Sequence, residues 1–171
     1  LVFGTAGGIG YVSQNVPTVP GQSYILSFWL ADPQGGTVAQ FLANWNNNII
    51  YNVLNPPAFD WSNLVFYVTA TTTNTFLQFG ARNDNATGLF GLDDVSVTPI
   101  PSFNPSLVAQ GPNTVSLTWN SLAGATYQVQ YSTNLLSTNW STLSTNTAAG
   151  PTLSLTVPVT SPWAFYRIAV P

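Results

Sequence analysis

Lysine, glutamate, histidine, cysteine and methionine are all missing from this chain of 171 residues, whose only side chains charged at neutral pH are five Asp and two Arg. Proton transfer, nucleophilic attack and catalytic metal binding draw mostly on His, Cys, Glu and Lys. No serine here has a histidine or lysine base to activate it, and the Asp residues offer a glycosidase pair no evident general acid. The inventory speaks against an enzyme. Two Arg cannot build a phosphate-neutralising patch, which disfavours nucleic acid and anionic membranes as partners. No apolar run approaches the roughly 20 residues of a spanning helix. The absence of cysteine leaves the redox compartment open. The absence of Lys and Glu says more, because both are ordinary solubilising residues.

What is present is apolar, aromatic and hydroxylated. Hydrophobic residues make up 45% of the chain and aromatics 13%, which supports real cores and argues against disorder. The net charge of −3 reflects scarcity rather than an acidic tract. A surface of Asn, Thr and Ser puts little repulsion between copies and suits an extracellular protein. Two tripeptides, Asn85-Ala86-Thr87 and Asn139-Trp140-Ser141, have the form of glycan acceptors. Asn85 is the better candidate, since its stretch is polar and reaches Gly88. Such tripeptides also arise by chance in a chain this rich in Asn, Thr and Ser. Opening at Leu1 with no Met anywhere, the chain reads as a mature or trimmed fragment.

Apolar residues alternate with polar ones. Leu64, Phe66, Val68 and Ala70 share one face, and after Thr71-Thr72-Thr73-Asn74 the pattern resumes at Thr75, Leu77, Phe79 and Ala81. Val115, Leu117 and Trp119 alternate with hydroxyl residues, as do Leu153, Leu155 and Val157. Period-two alternation broken by Gly, Pro and Asn predicts an all-β chain. Strands are expected near 11–16, 24–31, 38–45, 49–53, 64–70, 75–81 and 92–98, then near 106–109, 114–120, 127–132, 140–144, 152–157 and 164–170. Tyr24–Leu30 reads as apolar on both faces, and Leu1-Val2-Phe3 as the tail of a strand. Three prolines make residues 99–105 an extended linker between domains at 1–98 and 106–171. The two halves show no clear internal repeat.

Residues 10–98 carry, in order, Ser13-Gln14-Asn15-Val16, Pro20-Gly21-Gln22-Ser23-Tyr24-Ile25-Leu26-Ser27-Phe28, the Trp61–Phe66 stretch and Leu92-Asp93-Asp94-Val95-Ser96-Val97. This series resembles carbohydrate-binding-module jelly rolls with a galactose-binding-like fold. That family opens on a strand reading roughly Asn-Gly-x-Phe-Glu, which nothing ahead of Leu1 supplies. In residues 106–171, Val115–Trp119, Tyr127–Ser132 and Phe165–Val170 resemble the second, third and sixth strands of a fibronectin type III-like, immunoglobulin-like domain. The resemblance implies two β-sandwiches in tandem, each short of a strand, as in secreted bacterial exoproteins.

Candidate sites follow from both readings. Unbroken alternation puts Asp93 in phase with Val95 and Val97, so it is expected to point inward, and an inward carboxylate must be paired, hydrogen-bonded or ion-bound. The resemblance implies a structural calcium at Asp93. The family's partner Glu is missing, and pairing with Arg82 or backbone N–H groups is the alternative. Trp45, Tyr51, Trp61 and Phe90 could form a stacking platform for sugar rings, with Arg82 and Asp84 bonding hydroxyls. The alternative makes the aromatics core and the Arg82–Asn85 stretch a self-bonded turn. Trp29 and Trp119 read as core, Trp140 and Trp163 as edge covers.

Two functions compete. The first is a structural subunit polymerising with copies of itself by strand exchange, through Leu1, Val2 and Phe3 or through Ile168 and Val170. The second is a carbohydrate-binding or adhesion module with a fibronectin-like spacer, whose partner is a polysaccharide.

Overall fold

The computed structural model describes residues 1–84, 88–101, 105–159, 161 and 163–171. Fourteen β-strands account for all their regular structure. Among the described residues no helix is long and apolar enough to cross a membrane. Contacts divide the chain into two compact units, Leu1–Pro99 and Ile100–Pro171. Each is a β-sandwich, as the alternation predicts.

The first unit contains β1 (Val2–Phe3), β2 (Gly10–Pro17), β3 (Ser23–Asp32), β4 (Ala39–Trp45), β5 (Asn48–Leu54), β6 (Phe59–Thr69), β7 (Asn74–Asn83) and β8 (Phe90–Pro99). They form two antiparallel sheets, ordered β1-β8-β3-β6 and β2-β7-β4-β5. Tyr24, Leu26, Phe28 and Leu30 point inward from β3 and join Phe41, Ala43 and Trp45 of β4 with Leu77, Phe79 and Ala81 of β7 in one core. Phe28 packs on Phe41, Phe66 and Phe79, and Phe41 on Phe90, which ties the two sheets together. Each such buried ring contributes roughly 1.5–3 kcal/mol.

Local chemistry sets the connections. Asn46 and Asn47, both at positive φ, make the two-residue hairpin turn from β4 to β5, where Asn tolerates the left-handed region. Asp32 is buried and closes the turn after β3 by accepting the Gly35 N–H at 2.9 Å. Gly35 has φ +65, and a Cβ there would stand 2.7 Å from the Ala58 nitrogen, so the position requires glycine.

Two expectations for this unit need correction. β6 starts at Phe59 rather than near 64, because Ser62 pairs with Leu30 and Phe59 with Asp32, and tertiary pairing overrides the turn-like Asp60–Asn63 composition. β3 is covered on one face only. Its outward residues Ile25 and Ser27 are half-buried and Trp29 is exposed, so Trp29 is not a core residue.

The second unit contains β9 (Ser106–Gly111), β10 (Thr114–Asn120), β11 (Thr126–Ser132), β12 (Ser141–Thr147), β13 (Thr152–Pro158) and β14 (Phe165–Ala169), in sheets ordered β13-β10-β9 and β12-β11-β14. Trp119 and Tyr127 meet edge to face at its centre, both fully buried.

The halves do share one device. In the first unit the Tyr24 hydroxyl accepts the Val19 N–H at 2.9 Å, while the Gly21 N–H donates to the Ala70 carbonyl at 2.8 Å and the Ala70 N–H to the Gln22 carbonyl at 3.0 Å. In the second unit Tyr127, Leu122, Gly124, Ala148 and Ala125 repeat every one of these bonds. Gly21 and Gly124 have φ of 81° and 84°. The expectation of no clear repeat is corrected at this turn, where an apolar residue, Gly and Tyr recur at the same spacing.

Candidate functional site

A β-bulge on β8 builds the site. Trp29 pairs with Asp93 and Ser27 with Ser96, so two steps along β3 match three along β8. The extra residue is accommodated at Asp94, whose φ of 49° is the left-handed conformation common at such bulges. Asp93 Oδ1 accepts the Asp94 N–H at 3.0 Å and steadies the kink. The bulge shifts the alternation by one residue. Leu92 and Val97 therefore both lie on the core face, opposite Leu30 and Leu26, while Asp93 lies outside beside Trp29.

The inward Asp93 of the sequence reading is thereby corrected. Asp93 is exposed and, among the described residues, pairs with no cation. No group of three or more His, Cys, Asp or Glu among the described residues is placed to hold a metal. Calcium takes six to eight oxygens, and Asp93 with Asp94 does not make that shell.

Trp61 completes the surface. It starts on β6, and its ring edge reaches Gly91 on β8, the strand on the far side of β3. A Cβ on Gly91 would stand 2.7 Å from the ring, so the indole lies over this residue because it lacks a side chain. Ala31, paired with Gly91, is buried in the same place. Two small residues thus form a seat that holds Trp61 across the sheet. Trp61 is 47% exposed and Trp29 38%. With Asp93 and Asp94 they line a shallow cleft of about 490 Å³ on the outer face of the β1-β8-β3-β6 sheet. Indole faces are flat and electron-rich, and carboxylates accept hydrogen bonds from hydroxyl groups. The cleft suits a small ring with apolar faces and a hydroxylated rim.

The remaining candidates fall elsewhere. Trp45 is 4% exposed in the core, and its indole N–H donates to the Thr69 carbonyl at 3.0 Å. Phe90 is fully buried against Phe41, and Tyr51 packs on Phe41 and Phe66, where burial pushes its phenol above the usual range. The expected platform of Trp45, Tyr51, Trp61 and Phe90 is not assembled, because three of its members face the core.

Arg82 and Asp84, two apart at the end of β7, face each other. Arg82 Nε donates to Asp84 Oδ1 at 2.9 Å, and its Nη2 to Oδ2. Asp84 Oδ1 also accepts the Gly7 N–H at 3.0 Å. The Arg82 guanidinium, followed by the Gly7 N–H, holds the Asp84 carboxyl down to about 2, and the same pairing raises Arg82. These two residues tie the loop after β1 to β7, which is a structural use.

Asn139 is exposed and its neighbour Trp140 carries the Arg167 guanidinium 4.5 Å over its ring, whereas Asn85 lies outside the described residues. Trp163 is exposed. The segments expected to pass between copies are engaged at home. Val2 and Phe3 form β1 on β8, and Ile168 pairs with Val129 in the β14–β11 ladder. Val170 lies just beyond the end of β14. Sequence reasoning missed Trp29 as a surface residue. The available signal was the pair of serines and the threonine that share its face of the strand ladder, Ser23, Ser27 and, across the sheet, Thr98 opposite Ile25.

No protein-family model matches the chain. No curated protein matches it either. Among solved structures the chain is similar to a β-1,2-glucanase from Parabacteroides distasonis, at TM-score 0.36 and 12% identity over 99% of this chain and 29% of that one. It is also similar to a GH2 β-galacturonidase from Eisenbergiella tayi bound to galacturonate, at TM-score 0.32 and 12% identity over 91% of this chain and 30% of that one. A GH2 β-galacturonidase from the same organism bound to glycerol gives TM-score 0.30 and 10% identity over 95% and 34%. The chain spans about a third of the length of these proteins.

Proposed function

We propose that this chain is a non-catalytic carbohydrate-binding module that works outside the cell, a jelly roll of the carbohydrate-binding-module type followed by a fibronectin type III-like spacer. The single observation that carries the reading is the cleft formed by Trp29, Trp61, Asp93 and Asp94 on an outer sheet face. Two exposed indoles side by side form a contiguous apolar patch, which marks a binding surface where a single exposed ring would not. Here one of the two rings is seated on Gly91, so it is fixed before any ligand arrives and little ordering entropy is lost on binding. The absence of Lys, Glu, His and Cys leaves the site suited to binding rather than to proton transfer.

Affinity electrophoresis of the whole chain through gels containing a panel of soluble polysaccharides tests the proposal. At least one polysaccharide is expected to retard the protein, and Trp29→Ala and Trp61→Ala are expected to abolish the retardation while the fold is retained by circular dichroism. Retardation by none, or equal retardation of the variants, overturns it.

A further inference from the structure

The cleft of Trp29, Trp61, Asp93 and Asp94 accepts hydrogen bonds far better than it donates them. Ionised carboxylates are acceptors only, and the two indole N–H groups are the only side-chain donors in the lining. Among the described residues the Asp94 carboxylate has no partner, and Asp93 uses only Oδ1, on the Asp94 N–H. Asp93 Oδ2 and both Asp94 oxygens are left for a ligand.

Among the described residues no cation offsets these carboxylates. All five Asp but only one of the two Arg lie in the first unit, and that one, Arg82, is held by Asp84. Lysine is absent. Trp29 pairs with Asp93 across β3 and β8, so an indole and a carboxylate stand side by side on the same outer face. The indole attracts a cation through the negative face of its ring and the carboxylate through its charge. Both parts of the cleft select the same sign.

We propose that the ligand of this cleft is a polysaccharide of amino sugars with free, protonated amines, such as linked glucosamine units. The inference rests on the carbohydrate-binding reading and names the class of sugar. A protonated amine donates three hydrogens and accepts none, which complements a pair of acceptor-only carboxylates. The sugar rings lie against the indoles as any pyranose would. A uronic acid or a sulfated sugar brings a like charge to a cleft with no cation and is rejected. A neutral sugar, N-acetylated ones included, keeps the stacking and loses the ion pair. Because the carboxylates are exposed, salt screens that pair.

Calorimetric titration of the whole chain with four oligomers of equal length tests the inference: glucosamine, N-acetylglucosamine, galacturonate and lysine. The glucosamine oligomer is expected to bind about tenfold or more tightly than its N-acetylated form at low salt, with galacturonate the weakest. The preference should shrink as salt is added and vanish as rising pH takes the proton from the sugar amine. Asp93→Asn combined with Asp94→Asn should remove it. Asparagine keeps the Oδ1 that accepts the Asp94 N–H and tolerates the positive φ at Asp94, so the bulge is retained. Asp60→Asn, the same change of charge at an exposed position of β6 outside the cleft, should leave the preference in place. Equal binding of the glucosamine and N-acetylated oligomers through Trp29 and Trp61 overturns the inference and leaves the sugar reading standing, whereas binding of no sugar overturns both. A preference that survives the double variant assigns the effect to net charge and overturns the inference. So does a lysine oligomer bound as tightly as the glucosamine one, since it has no ring to stack.

Discussion

The ring edge of Trp61 occupies the space that a side chain on Gly91 would need, 2.7 Å from the position of its Cβ. Gly91→Val is therefore expected to lift the indole off the sheet. Polysaccharide affinity should fall about tenfold or more while the core aromatics keep their packing. Tryptophan fluorescence and a binding titration on the same samples check this, and an unchanged affinity would show that the seat does not matter.

The repeated turn makes a paired forecast. Tyr24→Phe and Tyr127→Phe each remove the acceptor of one backbone N–H, at Val19 and at Leu122. An orphaned donor costs about 1–3 kcal/mol when buried and less where water reaches it. Urea unfolding should place both losses in or just below that range, with Tyr127→Phe the larger because Val19 is the more exposed of the two donors.

Trp119 separates packing from hydrogen bonding. Its indole nitrogen is buried with no hydrogen-bond partner among the described residues. Trp119→Phe gives up no hydrogen bond and should cost less than Trp119→Ala, which empties the centre of the second unit at about 3–5 kcal/mol. Equal losses in a denaturation series would show that filling this space with a ring does not stabilise the second unit.

The Arg82–Asp84 pair predicts an acid transition. With its carboxyl lowered to about 2 by Arg82 and Gly7, Asp84 contributes its tie fully above the ordinary carboxylate range, and loses it as the pH falls through about 2. Amide exchange at Gly7 should quicken over that window. Asp84→Asn should remove the transition, and a carboxyl titrating at its ordinary value by NMR would contradict the pairing. Both side chains are about a third exposed, so the tie is local and the whole fold should not depend on it.

Much of the fold was legible because strand alternation is a local signal. Thr75, Leu77, Phe79 and Ala81 were placed on one face by spacing alone, and all four are buried. Val115, Leu117 and Trp119 were read in the same way, and they line the inner face of β10. The candidate site was less legible. Trp61 and Asp93 were both singled out, but with the wrong companions, since Trp45 and Phe90 belong to the core and Trp29 had been assigned there.

The sequence by itself determined an all-β chain and the inward face of most strands, because side chains alternate with period two wherever the backbone is extended. Only the tertiary structure decided the site. One extra residue at Asp94 reverses the phase of β8 and carries Asp93 to the outer face, and no composition signal marks it. The seat of Trp61 depends on β6, β3 and β8 lying side by side, which joins Trp61, Ala31 and Gly91 from three separate stretches of chain. Pairing between distant strands, not local preference, set both.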